Sequence, residues 1–201
     1  MPPHPDPLPP PAQCAALVII DMQRGLLHGP VPPYDGAGVV RRIQALITQA
    51  RRAGVKVIFV QHHAGPDSPL AEGSAPWQLV AGLEPAPDDW RIGKMRPSMF
   101  HGTDLDQRLR SAGIHHLIIA GMQTEYCVDT SCRAAADLGY QVILAADGHT
   151  TLDPFALDDA RREEYAPEGS ALPAASIIAH HNLTLAGPFA TVLPCAEIRF
   201  A

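Results

Sequence analysis

The sequence predicts a three-layer α/β/α domain built on a mostly parallel sheet of about six strands. Two observations carry this prediction. Short apolar runs alternate along the chain with stretches of helical periodicity, and the runs are apolar at consecutive positions rather than at every second one. A strand apolar on both sides belongs to a sheet covered on both faces, and strand–helix alternation makes that sheet parallel.

The elements follow in order. Ala15 to Ile20 is an uninterrupted apolar strand ending in Asp21. Val39, Val40, Ile43, Leu46, Ile47 and Ala50 recur at helical spacing, and Gly54 closes that helix. Val55 to Val60 is the second strand. Residues 62–88 are rich in Pro, Gly, Ser and Ala, with at most a short helix from Trp77 to Val80; so long a connection in a compact domain is functional or disordered. Trp90 to Lys94 is the third strand, and Thr103 caps a helix that carries Leu105 and Leu109 to Gly113. Ile114 to Ala120 is the fourth strand, Cys127 to Leu138 the next helix and Tyr140 to Ala146 the fifth strand. A polar stretch from Asp147 to Gly169 has room for a helical turn or two between Leu157 and Glu164. Ser170 caps a helix running through Ile177, Ile178 and Leu183 to Gly187, and Ala190 to Ile198 is the last strand. Residues 1–13, mostly proline, form an extended tail outside a single domain of residues 14–201.

Composition excludes several classes of function. The 15 Lys and Arg against 21 Asp and Glu give a net charge of −6, with no basic stripe for nucleic acid. Arg41, Arg42, Arg51 and Arg52 form the solvated face of one helix. No apolar run approaches the ~20 residues needed to span a bilayer, and the N-terminus lacks the order of a signal peptide. Cys14, Cys127, Cys132 and Cys195 show no CxxC spacing, which points to a reducing cytoplasm. Cys132 lies about 140° round a helix from Cys127, so the two should not form a disulfide.

A parallel sheet places its site at the carboxyl ends of its strands. Asp21, Gln61 to His63, Lys94, Gly121 to Cys127 and Asp147 to His149 all fall there. Cys127 follows Gly121 at a strand-to-helix turn, where free N–H groups and the positive end of the helix dipole converge. These features favour a thiolate, lowering its pKa from about 8.5 toward neutrality, and offer donors to an oxyanion. The competing reading is a small buried apolar residue. Asp21 could equally cap a turn, and Lys94 could be an ordinary surface lysine. Together they make a coherent set: the carboxylate takes the thiol proton and returns it to a leaving nitrogen, while the ammonium holds the carboxylate ionised.

Three segments carry a family resemblance: Val18-Ile19-Ile20-Asp21-Met22-Gln23, Lys94-Met95-Arg96-Pro97-Ser98-Met99-Phe100, and Gly121-Met122-Gln123-Thr124-Glu125-Tyr126-Cys127-Val128. In order and spacing the chain resembles the isochorismatase-like cysteine hydrolases, a Rossmann-like superfamily. It includes nicotinamidases, carbamoylsarcosine and ureidoacrylate amidohydrolases, and streptothricin hydrolase. The resemblance implies an Asp21–Lys94–Cys127 triad, a cis peptide at Met122–Gln123, and an oxyanion hole made by the Gln123 and Cys127 N–H groups. It further implies hydrolysis of a C–N bond in a small amide, lactam or carbamoyl compound through a cysteine acyl-enzyme. No organic cofactor is implied, and the partners expected are a small-molecule substrate and other copies of the chain in a homo-oligomer. Leu26, Trp77, Phe100 and Tyr126 flank the signature segments and, with Gln23, are candidates to contact substrate.

The chain also departs from the nicotinamidase pattern. Gln61 stands where those enzymes carry a metal-binding aspartate, and the neighbours in the doublet His62-His63 should point to opposite sides. No metal is therefore expected. Cys127 in turn separates the chain from true isochorismatases, which split a vinyl ether without a nucleophilic cysteine. The alternatives left open are a metal-assisted nicotinamidase, an isochorismatase-type ether hydrolase and a non-catalytic thiol sensor.

Overall fold

The computed structural model describes residues 12–166 and 172–200. Six strands form one sheet: β1 (Ala15–Ile20), β2 (Lys56–His62), β3 (Trp90–Lys94), β4 (His116–Met122), β5 (Gln141–Thr150) and β6 (Thr191–Leu193). Their order is β3-β2-β1-β4-β5-β6, and every neighbouring pair is parallel. Among the described residues six α-helices accompany them: α1 (Arg24–Leu27), α2 (Gly36–Arg52), α3 (Leu105–Ser111), α4 (Asp129–Asp137), α5 (Asp159–Tyr165) and α6 (Ala174–Leu185).

The chain grows outward from β1 in one direction, then returns to the centre as β4 and grows in the other. Right-handed crossovers put the helices of the two halves on opposite faces. α2 accordingly packs across β1, β2, β4 and β5, and α4 and α6 pack on the other side of β5. All six residues of β1 are buried, as a central two-sided strand requires: Ala15, Leu17 and Ile19 join the α2 face, and Ala16, Val18 and Ile20 the α3–α4–α6 face. In α2, the buried Val39, Ile43, Leu46, Ile47 and Ala50 form the stripe their spacing predicts.

Several boundaries differ from expectation. The 62–88 connection contains no helix; Leu79 instead bridges antiparallel to Gln23. α1 has no clear periodic signature and was not expected. β5 runs on to Thr150: after a register shift, His149 and Thr150 pair with Gly121 and Met122. β6 stops at Leu193, ahead of Pro194, which has no N–H for a ladder. α6 is present, but its proposed cap Ser170 lies outside the described residues, as does most of the proline-rich tail.

The crevice of such a sheet opens where the strand order reverses, here between the carboxyl ends of β1 and β4. Gly121 makes that junction possible. Its φ is 127°, and a Cβ there would lie 2.1 Å from the Ile20 carbonyl oxygen. Gly121→Ala should therefore cost about 3 kcal/mol or more by urea denaturation. Gly139→Ala, at a φ of 89° but with nothing within 4 Å, should cost about 1 kcal/mol. Equal costs at the two positions would show that backbone conformation, not the approach of β4 to β1, is what requires Gly121.

Candidate active site

Asp21, Lys94 and Cys127 arrive from three strand ends and meet. Asp21 leaves β1 in a tight left-handed turn with φ 53°: its N–H donates to the Val60 carbonyl at 2.8 Å, and its own carbonyl accepts from Gln23 N at 2.8 Å. Aspartate is among the few non-glycine residues that tolerate this region. Lys94, the last residue of β3, reaches past the end of β2. Its Nζ donates to Asp21 Oδ2 at 2.6 Å and lies 3.1 Å from Cys127 Sγ. Both Asp21 and Lys94 are almost fully buried. The Met122–Gln123 peptide is cis. A π-helical turn, Thr124–Val128, follows it and carries Cys127. The Gln123 carbonyl accepts from the N–H groups of Tyr126 and Val128, both at 3.1 Å, and so ties that turn to the end of β4.

Burial raises the Asp21 pKa, and the charge and hydrogen bond of Lys94 pull it partly back. The Cys127 thiol is pushed up to about 12, first by burial and next by the Asp21 charge, with Lys94 a partial offset. This corrects the thiolate expected from the position of Cys127 at a helix start. The thiol sits inside the π turn, a few residues before α4, where it is desolvated beside a carboxylate. At rest the Cys127 side chain is a neutral thiol.

Of the residues expected to contact substrate, Gln23 and Trp77 meet, whereas Leu26 and Phe100 go to opposite faces of the sheet. The Gln23 side chain is buried and committed: Nε2 donates to the carbonyls of His62 and Trp77, both at 2.9 Å, and Oε1 accepts from His62 N at 2.9 Å. Leu26 packs against the α2 face. Phe100 joins the opposite helical layer, stacked on Tyr140 at 5.7 Å. Trp77 lies under the Arg91 guanidinium and lines a cavity of about 470 Å³ with Gln61 and Glu72. Tyr126 alone stays exposed beside Cys127.

Gln61 is also committed, donating to the Trp77 carbonyl at 3.1 Å and accepting from Arg91 at 3.1 Å. His62 pairs in register with Lys94, whereas the His63 ring lies against the side of Gly93 that faces away from Lys94. Among the described residues, no three His, Cys, Asp or Glu side chains are grouped to share a metal ion.

Sequence reasoning missed the support of the turn that carries Cys127. His149 is fully buried; its Nδ1 meets Thr124 Oγ1 at 2.8 Å and its Nε2 meets Asn182 Oδ1 at 2.9 Å. Asn182 Nδ2 donates to the Ala146 carbonyl, so Oδ1 is the acceptor. His149 therefore donates through Nε2 and accepts the Thr124 hydroxyl at Nδ1, which requires a neutral ring. The link joins α6 and β5 to the Cys127 turn. His149 follows Asp-Gly, which reads as a turn signal, and only the register shift in β5 reveals its place.

Burial holds the His149 pKa down to about 4, against 6.5 for the free side chain. Between those values the unfolded chain binds a proton that the folded chain refuses. Stability is therefore complete above pH 6.5 and falls by up to about 3 kcal/mol as pH drops toward 4. Urea denaturation across this window should show that loss, and His149→Gln should flatten it. An unchanged slope in His149→Gln would contradict the assignment.

The profile of the isochorismatase domain matches residues 15–172. Streptothricin hydrolase from Streptomyces noursei is 32% identical over 144 residues, covering 72% of this chain and 52% of its own length. Ureidoacrylate amidohydrolase RutB from Variovorax paradoxus is 30% identical over 196 residues, covering 80% and 78%. The chain thus spans about half the length of the streptothricin hydrolase and most of that of the ureidoacrylate enzyme. Among solved structures, a cysteine hydrolase from Pseudomonas syringae superimposes with a TM-score of 0.83 at 26% identity, over 98% of this chain and 96% of its own. A hydrolase of the isochorismatase family from Chromobacterium violaceum gives 0.82 at 28% identity, over 97% and 96%. The chain belongs to the isochorismatase family.

Proposed function

We propose that the protein is a cysteine-dependent hydrolase that cleaves the C–N bond of a small amide, lactam or carbamoyl compound. One observation carries this reading: a single buried lysine nitrogen contacts both a carboxylate and a thiol, at 2.6 and 3.1 Å. The names of the streptothricin and ureidoacrylate relatives support the class of bond attacked.

The chemistry follows from charge. At rest the site holds an Asp21 carboxylate, a Lys94 ammonium and a neutral Cys127 thiol. As the sulfur attacks a carbonyl carbon, its proton passes to Asp21. Negative charge then moves from one neighbour of Lys94 to the other and onward to the carbonyl oxygen. The ammonium touches both ends of the transfer, so the buried site never carries a lone charge. The raised Asp21 pKa makes its carboxylate a stronger base than a solvated one. Asp21 Oδ1 is buried without a hydrogen-bond partner among the described residues, which leaves it open to that proton.

The Gln123 and Cys127 N–H groups would receive the oxyanion. Collapse of the tetrahedral intermediate breaks the C–N bond, and protonated Asp21 delivers its proton to the leaving nitrogen, leaving a thioester on Cys127. The regenerated carboxylate then takes a proton from water, which attacks the thioester. The proton returns to the departing sulfur.

Cys127→Ala should lower turnover of the best amide found in a screen of primary amides, carbamoyl compounds and lactams by roughly 10⁴-fold or more. Asp21→Asn should be nearly as damaging, and Lys94→Met should slow turnover by roughly 10²- to 10³-fold. Near-parental turnover in Cys127→Ala would refute the covalent route. Because Gln61 is spent on Trp77 and Arg91, incubation with EDTA should leave turnover unchanged. Loss of activity on chelation, restored by zinc or iron, would favour a metal-assisted reaction.

A further inference from the structure

Two buried or half-buried histidines flank the triad, and they are held in opposite ways. Both ring nitrogens of His149 are bonded to protein. His62 is held by its backbone instead: its N–H and its carbonyl are both clamped by the Gln23 amide, at 2.9 Å each. Its ring makes no hydrogen bond among the described residues, and Nδ1 is buried without a partner. A histidine kept for packing satisfies its ring, as His149 does. In His62 the chain fixes the backbone and leaves the ring free.

The ring's location assigns it a use. His62 is the last residue of β2 and the register partner of Lys94, so both side chains leave the sheet on the same side. The proposed oxyanion donors lie at the end of β4, on the far side of Asp21 from β2. A carbonyl carbon bonded to Cys127, with its oxygen toward β4, turns its nitrogen substituent toward Asp21 and β2. We propose that His62 is a further catalytic residue, whose imidazole hydrogen-bonds the leaving-nitrogen side of the substrate. This rests on the amide-hydrolase reading above.

The charges around the ring suit that role. Burial and the positive charge of Lys94, with a smaller effect of His63, lower the His62 pKa, against a weaker opposing pull from Asp21. The ring is thereby kept neutral at neutral pH, able both to accept an N–H and to donate one. A protonated ring would place a second cation beside Lys94.

The test compares two leaving groups. An activated ester such as p-nitrophenyl acetate acylates Cys127 but releases an oxygen that has no N–H and needs no protonation. His62→Ala should lower kcat/KM for the best amide by about 10- to 100-fold, while changing that for the ester less than about threefold. His62→Asn, which keeps a hydrogen-bonding group near Nδ1, should recover part of the loss. Butanamide should protect Cys127 of the parent enzyme from iodoacetamide, and His62→Ala should weaken that protection about tenfold. Equal loss on amide and ester, or unchanged amide turnover and protection, would overturn the proposal. If the parent turns over no amide yet butanamide protection still depends on His62, the amide-hydrolase reading falls and the contact stands.

Discussion

The Lys94 ammonium, buried between a carboxylate and a thiol, is the interaction on which the rest of this architecture turns. Removing any charge from such a group leaves its partner stranded in a medium that cannot solvate it, at a cost of about 3–5 kcal/mol. The surrounding fold is arranged to prevent that. β3 stands at the sheet edge, yet its last residue is delivered past β2 to the end of β1. Asp21 occupies a left-handed turn that directs its carboxylate back over the sheet, and Gly121 lets β4 come close enough to β1 to bring the cysteine turn within reach. The neutral thiol belongs to the same balance. A permanent thiolate beside Asp21 would leave two anions sharing one cation, whereas proton transfer during attack keeps one of each.

A second layer of polar groups fixes the two sides of this centre. On the β4 side, Asn182, His149 and Thr124 form a closed chain of hydrogen bonds from α6 through β5 to the π turn. On the β2 side, Gln23 spends its amide on the backbone of His62 and on the Trp77 carbonyl. The two amide side chains do related work, each saturating its own hydrogen bonds to place a histidine. What differs is the histidine. One has both ring nitrogens bonded into the frame, and the other, on the same side of the sheet as Lys94, has a ring without a hydrogen bond among the described residues.

Much of the centre was legible in the sequence because its residues end strands. A two-sided apolar run has to stop where the chain meets polar surroundings, so Asp21, Lys94 and the segment after Gly121 announce themselves by position. Features that depend on register were not legible. The bulge that returns His149 to the edge of β4 leaves no periodic trace, and Asn182 is one of five polar residues in α6, with nothing in the sequence to set it apart from Ser176, His180, His181 or Thr184. The identity of Gln23 could be read, but its role could not: a glutamine two residues after the strand-ending Asp21 reads as a substrate contact until its three hydrogen bonds are seen. The scattered aromatic wall failed for a similar reason. Closeness in sequence to a signature segment does not decide which face of a sheet a ring joins, and Phe100 and Leu26 went to opposite ones. For Cys127 the sequence shows a strand-to-helix turn but not the burial beside Asp21 that raises the thiol pKa, because that burial depends on distances.

The proposed covalent chemistry at Cys127, beside the shared lysine, is most directly tested by trapping the acyl-enzyme. The protein would be mixed with its best amide substrate, quenched in acid within the first turnover, and examined by intact-mass and peptide mass spectrometry. The predicted result is one acyl group per chain, lost under mild alkali as a thioester is, on the peptide carrying Cys127. Full substrate turnover with no acyl adduct at any quench time, or an adduct on Cys14, Cys132 or Cys195 instead, would contradict it.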